Sequence, residues 1–220
     1  MFEPYNEVSR KLLIVGIPTY KRKKSLLRLL ESVNLICVPD NIELLVLIAD
    51  NEGEGGEGII CAKNFAKNSA FNFPIDYVGV VQKGISYTRN AILHRAFVIL
   101  KADYLAMVDD DETVVNIWIK ELLIVQQYTK ADLVGGLKTP IFESEPEPWM
   151  PSNDAYFYQP VYRDGPCKRL VSTDNLLITK DAYLRFGSPK FDIEFGLTGG
   201  GDTEFLHRLG KEGAKFAFSV

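Results

Sequence analysis

The chain has 220 residues, 46% of them hydrophobic and 25% charged, with a formal net charge of −4. That length bounds it to one sizeable domain with a real core, and the acidic balance argues against a nucleic-acid partner. Three scattered cysteines (Cys37, Cys61, Cys167) without a C-x-x-C pair favour reduced thiols over a disulfide framework or a zinc site. No run approaches the ~20 apolar residues of a membrane span, and residues 1–10 lack the apolar core of a signal peptide. The expectation is a cytoplasmic protein, with a peripheral hold on a membrane surface still open to it.

In chain order, residues 11–18 form a continuous apolar run, the pattern of a strand buried on both faces. Lys21, Arg22, Lys23 and Lys24 then open a helix with Leu26, Leu29, Leu30 and Val33 on one side. The basic cluster reads as a solvated helix end, a phosphate contact or an anionic membrane contact. A second strand at 43–49 ends in Asp50-Asn51-Glu52, followed by a glycine- and glutamate-rich loop, a weak helix at 59–69 and a strand at 75–81. Ser86 is a candidate N-cap for the next helix, whose Leu93, Phe97 and Leu100 should face the core.

The fourth strand, 104–108, ends in Asp109, Asp110, Asp111 and Glu112. Four acids beginning where a buried strand stops repel one another unless a cation sits among them. Hard oxygens with no nearby His or Cys point to Mg2+ or Mn2+, most usefully one already bound to phosphates. Alternation would turn Asp109 and Asp111 to one side and Asp110 to the other. A helix over 115–129, apolar on nearly all sides, should be well covered, and a strand at 132–139 follows. The order of elements predicts an α/β domain with a mainly parallel central sheet and helices on both faces.

Residues 140–168 carry six of the eleven prolines, together with Trp149, Tyr156, Phe157, Tyr158 and Tyr162. They read either as a binding loop or as a loop stapled down by its own aromatics. A strand at 173–179, a short helix at 180–186 and a last strand at 215–220 complete the pattern. Gly199, Gly200 and Gly201 precede Asp202, which is either the cap of a helix over 202–212 or a general base in a cleft. The spacing suggests two jobs: an acidic site that neutralises phosphate charge, and, about ninety residues later, an acid that removes a proton. Walker A and G-x-S-x-G sequences are absent. Asp109 to Thr113 spells D-x-D-x-T, as in haloacid-dehalogenase-like phosphatases, but that reading leaves the motifs of the first three strands without a role.

Those motifs carry a resemblance. Ile17-Pro18-Thr19-Tyr20-Lys21-Arg22, Ile48-Ala49-Asp50-Asn51-Glu52, Gly84-Ile85-Ser86-Tyr87-Thr88-Arg89-Asn90, Val108-Asp109-Asp110-Asp111-Glu112 and Gly199-Gly200-Gly201-Asp202-Thr203-Glu204-Phe205 stand in the order seen in family 2 glycosyltransferases. With Pro148-Trp149-Met150, the chain looks most like bacterial exopolysaccharide glucosyltransferases of the succinoglycan type. The resemblance implies a single-domain GT-A fold, Rossmann-like, with 11–139 binding the nucleotide sugar and 140–220 carrying the acceptor side and the base. It implies inverting transfer of a hexose, glucose by that likeness, from a UDP-sugar to a lipid-linked or oligosaccharide acceptor, with Mg2+ or Mn2+. By position, Pro18, Thr19 and Tyr20 would line the nucleotide site and Asp50 would accept from uracil N3–H. Arg89 would lie near the base or diphosphate, and Asp109 or Asp110 would touch the ribose. Asp111 would bind the metal, Asp202 would be the general base, and Trp149, Gly200 and Gly201 would face the acceptor. Two departures stand out. The usual Glu-Asp pair reads Gly201-Asp202, with Glu204 a candidate to compensate. Relatives also run on past the last strand, so a C-terminally truncated chain and a non-catalytic nucleotide-sugar binder are the alternatives.

Overall fold

A computed structural model describes residues 10–142, 144, 145, 147 and 163–220. The strands are β1 (Lys11–Thr19), β2 (Ile42–Asp50), β3 (Ile75–Gly79), β4 (Tyr104–Val108), β5 (Leu133–Gly136), β6 (Gly165–Cys167), β7 (Asn175–Thr179) and β8 (Phe216–Ser219). The helices are α1 (Lys23–Val33), α2 (Glu57–Asn68), α3 (Ile85–His94), α4 (Trp118–Thr129), α5 (Lys180–Arg185) and α6 (Gly201–Lys211). One π-helical stretch, Arg95–Ile99, prolongs α3.

The eight strands among the described residues join one sheet in the order β3-β2-β1-β4-β7-β5-β8-β6. The first four are parallel, which puts the C-terminal ends of β1, β2 and β4 on one edge of the molecule. Period-two alternation divides the core. Leu13, Val15 and Ile17 of β1 face α1 and α4, while Ile14 of β1 and Leu105 and Met107 of β4 face α3, α5 and α6. A Cβ on Gly16 would lie 2.5 Å from Ile92 Cγ2, so this glycine lets α3 sit directly on β1. That close approach is what carries the start of α3 to the end of the parallel strands.

The mainly parallel sheet with helices on both faces is as expected, with four differences. β7 runs antiparallel between β4 and β5, and the short edge strand β6 was not foreseen. Apolar runs of four or five residues carry no mark of direction. α4 starts at Trp118, and Ile124 and Tyr128 on it are exposed, because only one side of the helix meets the sheet. Ser86 is not the cap of α3: Gly84, at φ 131°, holds that position without a side-chain bond. Its backbone closes on the segment before α6, where Ile85 N–H donates to Gly196 O at 3.0 Å.

Candidate active site

Four strand ends and the N-terminal turns of α1, α3 and α6 converge on the site. β4 stops at Val108, and the acids that follow enter a turn, so strand alternation ends with them. Asp109 turns towards α3, whereas Asp110 and Asp111 both turn towards the start of α1. The expectation that Asp111 would share a side with Asp109 is corrected for that reason. Register places Asn175 of β7 opposite Val108, which brings Asp174 alongside Asp109.

Arg89, on the second turn of α3, links the two acidic sites. Its Nη2 donates to Asp109 Oδ1 and Oδ2 at 3.2 and 3.3 Å, and its Nη1 donates to Asp202 Oδ1. The side chain is only 7% exposed and stands over the ring of Phe191, which is itself stacked on Phe205 of α6. Nε of Arg89 and the hydroxyl of its neighbour Ser86 are buried and make no hydrogen bond among the described residues. Burial pushes the Asp109 carboxyl above the usual range, against the pull of Arg89, and Asp174 and Asp202 add to the rise. Asp202 sits in the first turn of α6 but does not cap it, since Gly200 holds the cap without a side-chain bond. Positive φ at Gly199 (80°) and Gly200 (85°) turns the chain so that α6 begins facing α3. Glu204 does not stand in for the acid replaced by Gly201. It pairs with Arg208 on its own helix, at 2.6 Å from Nε.

On the other side, Thr19 Oγ1 donates to Asp110 Oδ2 at 2.7 Å. Arg22 Nη1 reaches Asp110 Oδ1 at 3.2 Å and Asp111 Oδ2 at 2.5 Å, and Arg28 Nη2 donates to the Asp111 carbonyl at 3.1 Å. Arg22 and Asp111 are both about half exposed, so the pair is worth about 0–1 kcal/mol. The basic cluster is thus partly spent on acids: Arg22 here, and Lys21 at 3.9 Å from Glu52.

Pro18 and Thr19 are buried at the end of β1, and Tyr20 is exposed, with Lys21 and Lys83 over its ring at 5.4 and 4.8 Å. Asp50 is fully buried, and its carboxylate accepts from Glu52 N–H at 2.9 Å and Ile59 N–H at 3.1 Å. Gly56 and Gly58 close over it, so contact with a nucleobase requires the 51–58 loop to move. Beside this loop opens a cavity of about 610 Å³ lined in part by Lys21, Lys23, Gly55, Gly56 and Ile60. Gly200 is exposed and Gly201 buried, while Trp149 and most of the aromatic, proline-rich segment lie outside the described residues.

Sequence reasoning missed Asp174, Lys138 and the part played by Arg28. Lys138 Nζ lies 2.5 Å from Asp174 Oδ2, and the neighbouring Glu112 carboxyl is pushed up to about 8 by burial and by Asp174. The run Thr173-Asp174-Asn175 holds no signal without knowing that β7 pairs with β4.

Three acids do not converge on one point among the described residues. The donor set nevertheless suits a divalent ion that brings its own ligands. Asp111 offers a hard oxygen at an exposed strand end, and Mg2+ or Mn2+ bound to a diphosphate needs only one or two carboxylates. No helix among the described residues is long and apolar enough to cross a membrane.

A family model described as glycosyl transferase family 2 matches residues 14–183. The succinoglycan biosynthesis protein ExoM of Rhizobium meliloti (strain 1021) is 32% identical over 207 residues, covering 93% of this chain and 63% of its own length. Among solved structures, TarS from S. aureus superposes with a TM-score of 0.67 at 15% identity, over 94% of this chain and 57% of that one. TarS has also been crystallised with UDP and with UDP-GlcNAc. The mannosyltransferase PcManGT of Pyrobaculum calidifontis, in complex with GDP-Man and Mn2+, gives 0.68 at 13% identity over 95% and 55%. The chain thus spans less than two thirds of the length of each of these proteins. These likenesses show the GT-A fold, and the family match over most of the chain shows that it belongs to glycosyl transferase family 2.

Proposed function

We propose that the chain is an inverting glycosyltransferase that moves a hexose, glucose by the family resemblance of its motifs, from a UDP-sugar to a lipid-linked or oligosaccharide acceptor; its likeness to a succinoglycan biosynthesis protein supports a place in exopolysaccharide synthesis. The observation that carries the reading is the bridge from Asp109 through Arg89 to Asp202. It brings the acidic strand end and the candidate base to opposite sides of one guanidinium, at the C-terminal ends of parallel strands where α/β folds bind ligands. The nucleotide complexes of TarS and PcManGT support a nucleotide-sugar donor.

In this reading Pro18, Thr19, Tyr20, Asp50 and Arg89 shape the nucleotide side. Asp110, held by Thr19, and Asp109, held by Arg89, are the acids nearest the ribose. Asp111 would hold Mg2+ or Mn2+, which would neutralise diphosphate charge and favour departure of UDP. Asp202 accepts the proton of the acceptor hydroxyl as that oxygen attacks the anomeric carbon from the face opposite UDP, and Arg89 fixes the orientation of its carboxylate. Gly200 leaves the backbone before Asp202 open, Gly201 packs beneath it against Phe195, and Trp149 remains the candidate for stacking on an acceptor sugar. We place the protein in the cytoplasm, with a peripheral membrane hold through those lysines of the basic cluster not spent on acids.

The test is a screen of UDP-sugars with oligosaccharide and lipid-linked acceptors in Mg2+ and Mn2+, on wild type and Asp202→Asn. Transfer by wild type, with a drop on the order of 10²–10⁴-fold in the variant at unchanged UDP affinity, is expected for a lost general base. UDP binding without transfer to any acceptor would leave a nucleotide-sugar binder instead.

A further inference from the structure

We propose that Arg22 is a transferable counter-ion. It holds Asp111 in competition with a divalent cation, and on yielding that carboxylate it becomes a ligand of the donor diphosphate. The inference rests on the donor reading above and gives Arg22 a role beyond its place in the turn after β1.

A single nitrogen of Arg22 serves two acids, Asp110 at 3.2 Å and Asp111 at 2.5 Å. The two depend on it unequally. Asp110 is buried and keeps a second partner in Thr19 Oγ1 at 2.7 Å. The carboxylate of Asp111 is half exposed and, among the described residues, is held by Arg22 alone. The backbone of Asp111 is anchored separately, by Arg28 on its carbonyl. The turn can therefore keep its shape when the counter-ion of its side chain changes.

A divalent ion on Asp111 would bring two positive charges to the carboxylate that Arg22 now holds. A guanidinium could not remain 2.5 Å from Asp111 Oδ2 without lying near that charge. Arg22 and the ion therefore compete for Asp111 Oδ2, and positive charge at either one raises the cost of holding the other. Arg22 is free to yield because its side chain is 54% exposed and stems from the residue just before α1. It also starts in the right place, two residues from Tyr20 at the C-terminal edge of β1. The planar fork of a guanidinium matches two oxygens of a phosphate, which a lysine ammonium does not. Lys21 and Lys83, two further cations of this rim, are placed over Tyr20, with Lys83 Nζ also donating to Asn51 O at 2.7 Å. Arg89 is the contrasting case, since it is buried between two acids and has no comparable freedom.

The signature is a pair of opposite signs in one variant. Calorimetric titrations of wild type, Arg22→Gln and Arg22→Lys with Mn2+ alone, and with UDP in saturating Mn2+, read both. In Arg22→Gln, Mn2+ alone should bind roughly 2–5-fold tighter, as expected for losing a half-exposed competitor. UDP should bind about 10-fold or more weaker, as expected for losing a charged hydrogen-bond donor. Arg22→Lys should restore the wild-type Mn2+ affinity but not the UDP affinity. Weakening of both ligands by Arg22→Gln would make Arg22 an organiser of the turn and overturn the proposal. Tighter Mn2+ with unchanged UDP would overturn the transfer to phosphate. Absence of UDP binding in wild type would overturn the donor reading itself, an outcome distinct from wild-type binding that the variants leave unchanged.

Discussion

Glu112 shows how one residue reports on the company the fold gives it. Its carboxyl, pushed up to about 8 from 4.5 by burial first and by Asp174 second, keeps its proton in the folded protein when the unfolded chain has released it. Below about 4.5 both states carry the proton, and above about 8 neither does. Between those limits unfolding releases a proton, so a rise in pH favours the unfolded state. The loss across the window is on the order of a few kcal/mol. Melting curves in EDTA from pH 5 to 8.5 should show Tm falling as pH rises. Glu112→Gln should remove a large part of that fall, and a slope identical to wild type would exclude Glu112 as its source. Asp109 and Asp110, both pushed up mainly by burial, act in the same direction at the acidic end of the window.

At the scale of elements, the β2–α2 connection is built around an acid that solvent does not reach. Asp50 takes one backbone N–H from its own loop, Glu52, and one from the first turn of α2, Ile59, and a Cβ on Gly56 would stand 2.2 Å from its Oδ2. A Cβ on the adjacent Gly55 would meet nothing within 4 Å. Gly56→Ala should therefore cost about 1–3 kcal/mol, as overpacking does, and lower Tm by several degrees. Gly55→Ala should be nearly neutral. Equal effects in differential scanning calorimetry would mean that glycine flexibility, not the room around Asp50, is what the loop requires. The same connection borders the 610 Å³ cavity, so loss of UDP affinity in Gly56→Ala but not Gly55→Ala would tie the loop to nucleotide binding.

For the whole molecule, the proposed donor and metal act on folding by mass action. A ligand at about 100 times its Kd stabilises the folded state by ~2.7 kcal/mol, which for a domain of this size raises Tm by roughly 5–10 °C. UDP with Mn2+ should produce such a rise, UDP in EDTA a much smaller one, and Asp111→Asn should make the two alike. A wild-type shift unaffected by EDTA would remove the metal from the binding site. The sheet gives this linkage its reach, because the acids and Asp202 lie on elements from both halves of the chain and a ligand between them ties those halves together.

Residues 11–139 announced themselves in sequence because each step rests on local periodicity: buried strands as apolar runs, helices by one apolar side, and polar residues where each strand stops. Thr19, Asp50, Asp109, Asp110 and Asp111 stand at such ends, so they were legible as a candidate site, and Asp202 was legible as an acid at a helix start. Which charges pair is different, because it depends on contacts between residues distant in sequence. Arg22 meets Asp111 across 89 residues, and Arg89 meets Asp202 across 113. The antiparallel course of β7, which puts Asp174 beside Asp109, is likewise invisible in a five-residue apolar run. The sequence determined that acids gather at the strand ends; only the folded sheet decided that two arginines, one buried and one free to leave, would stand among them.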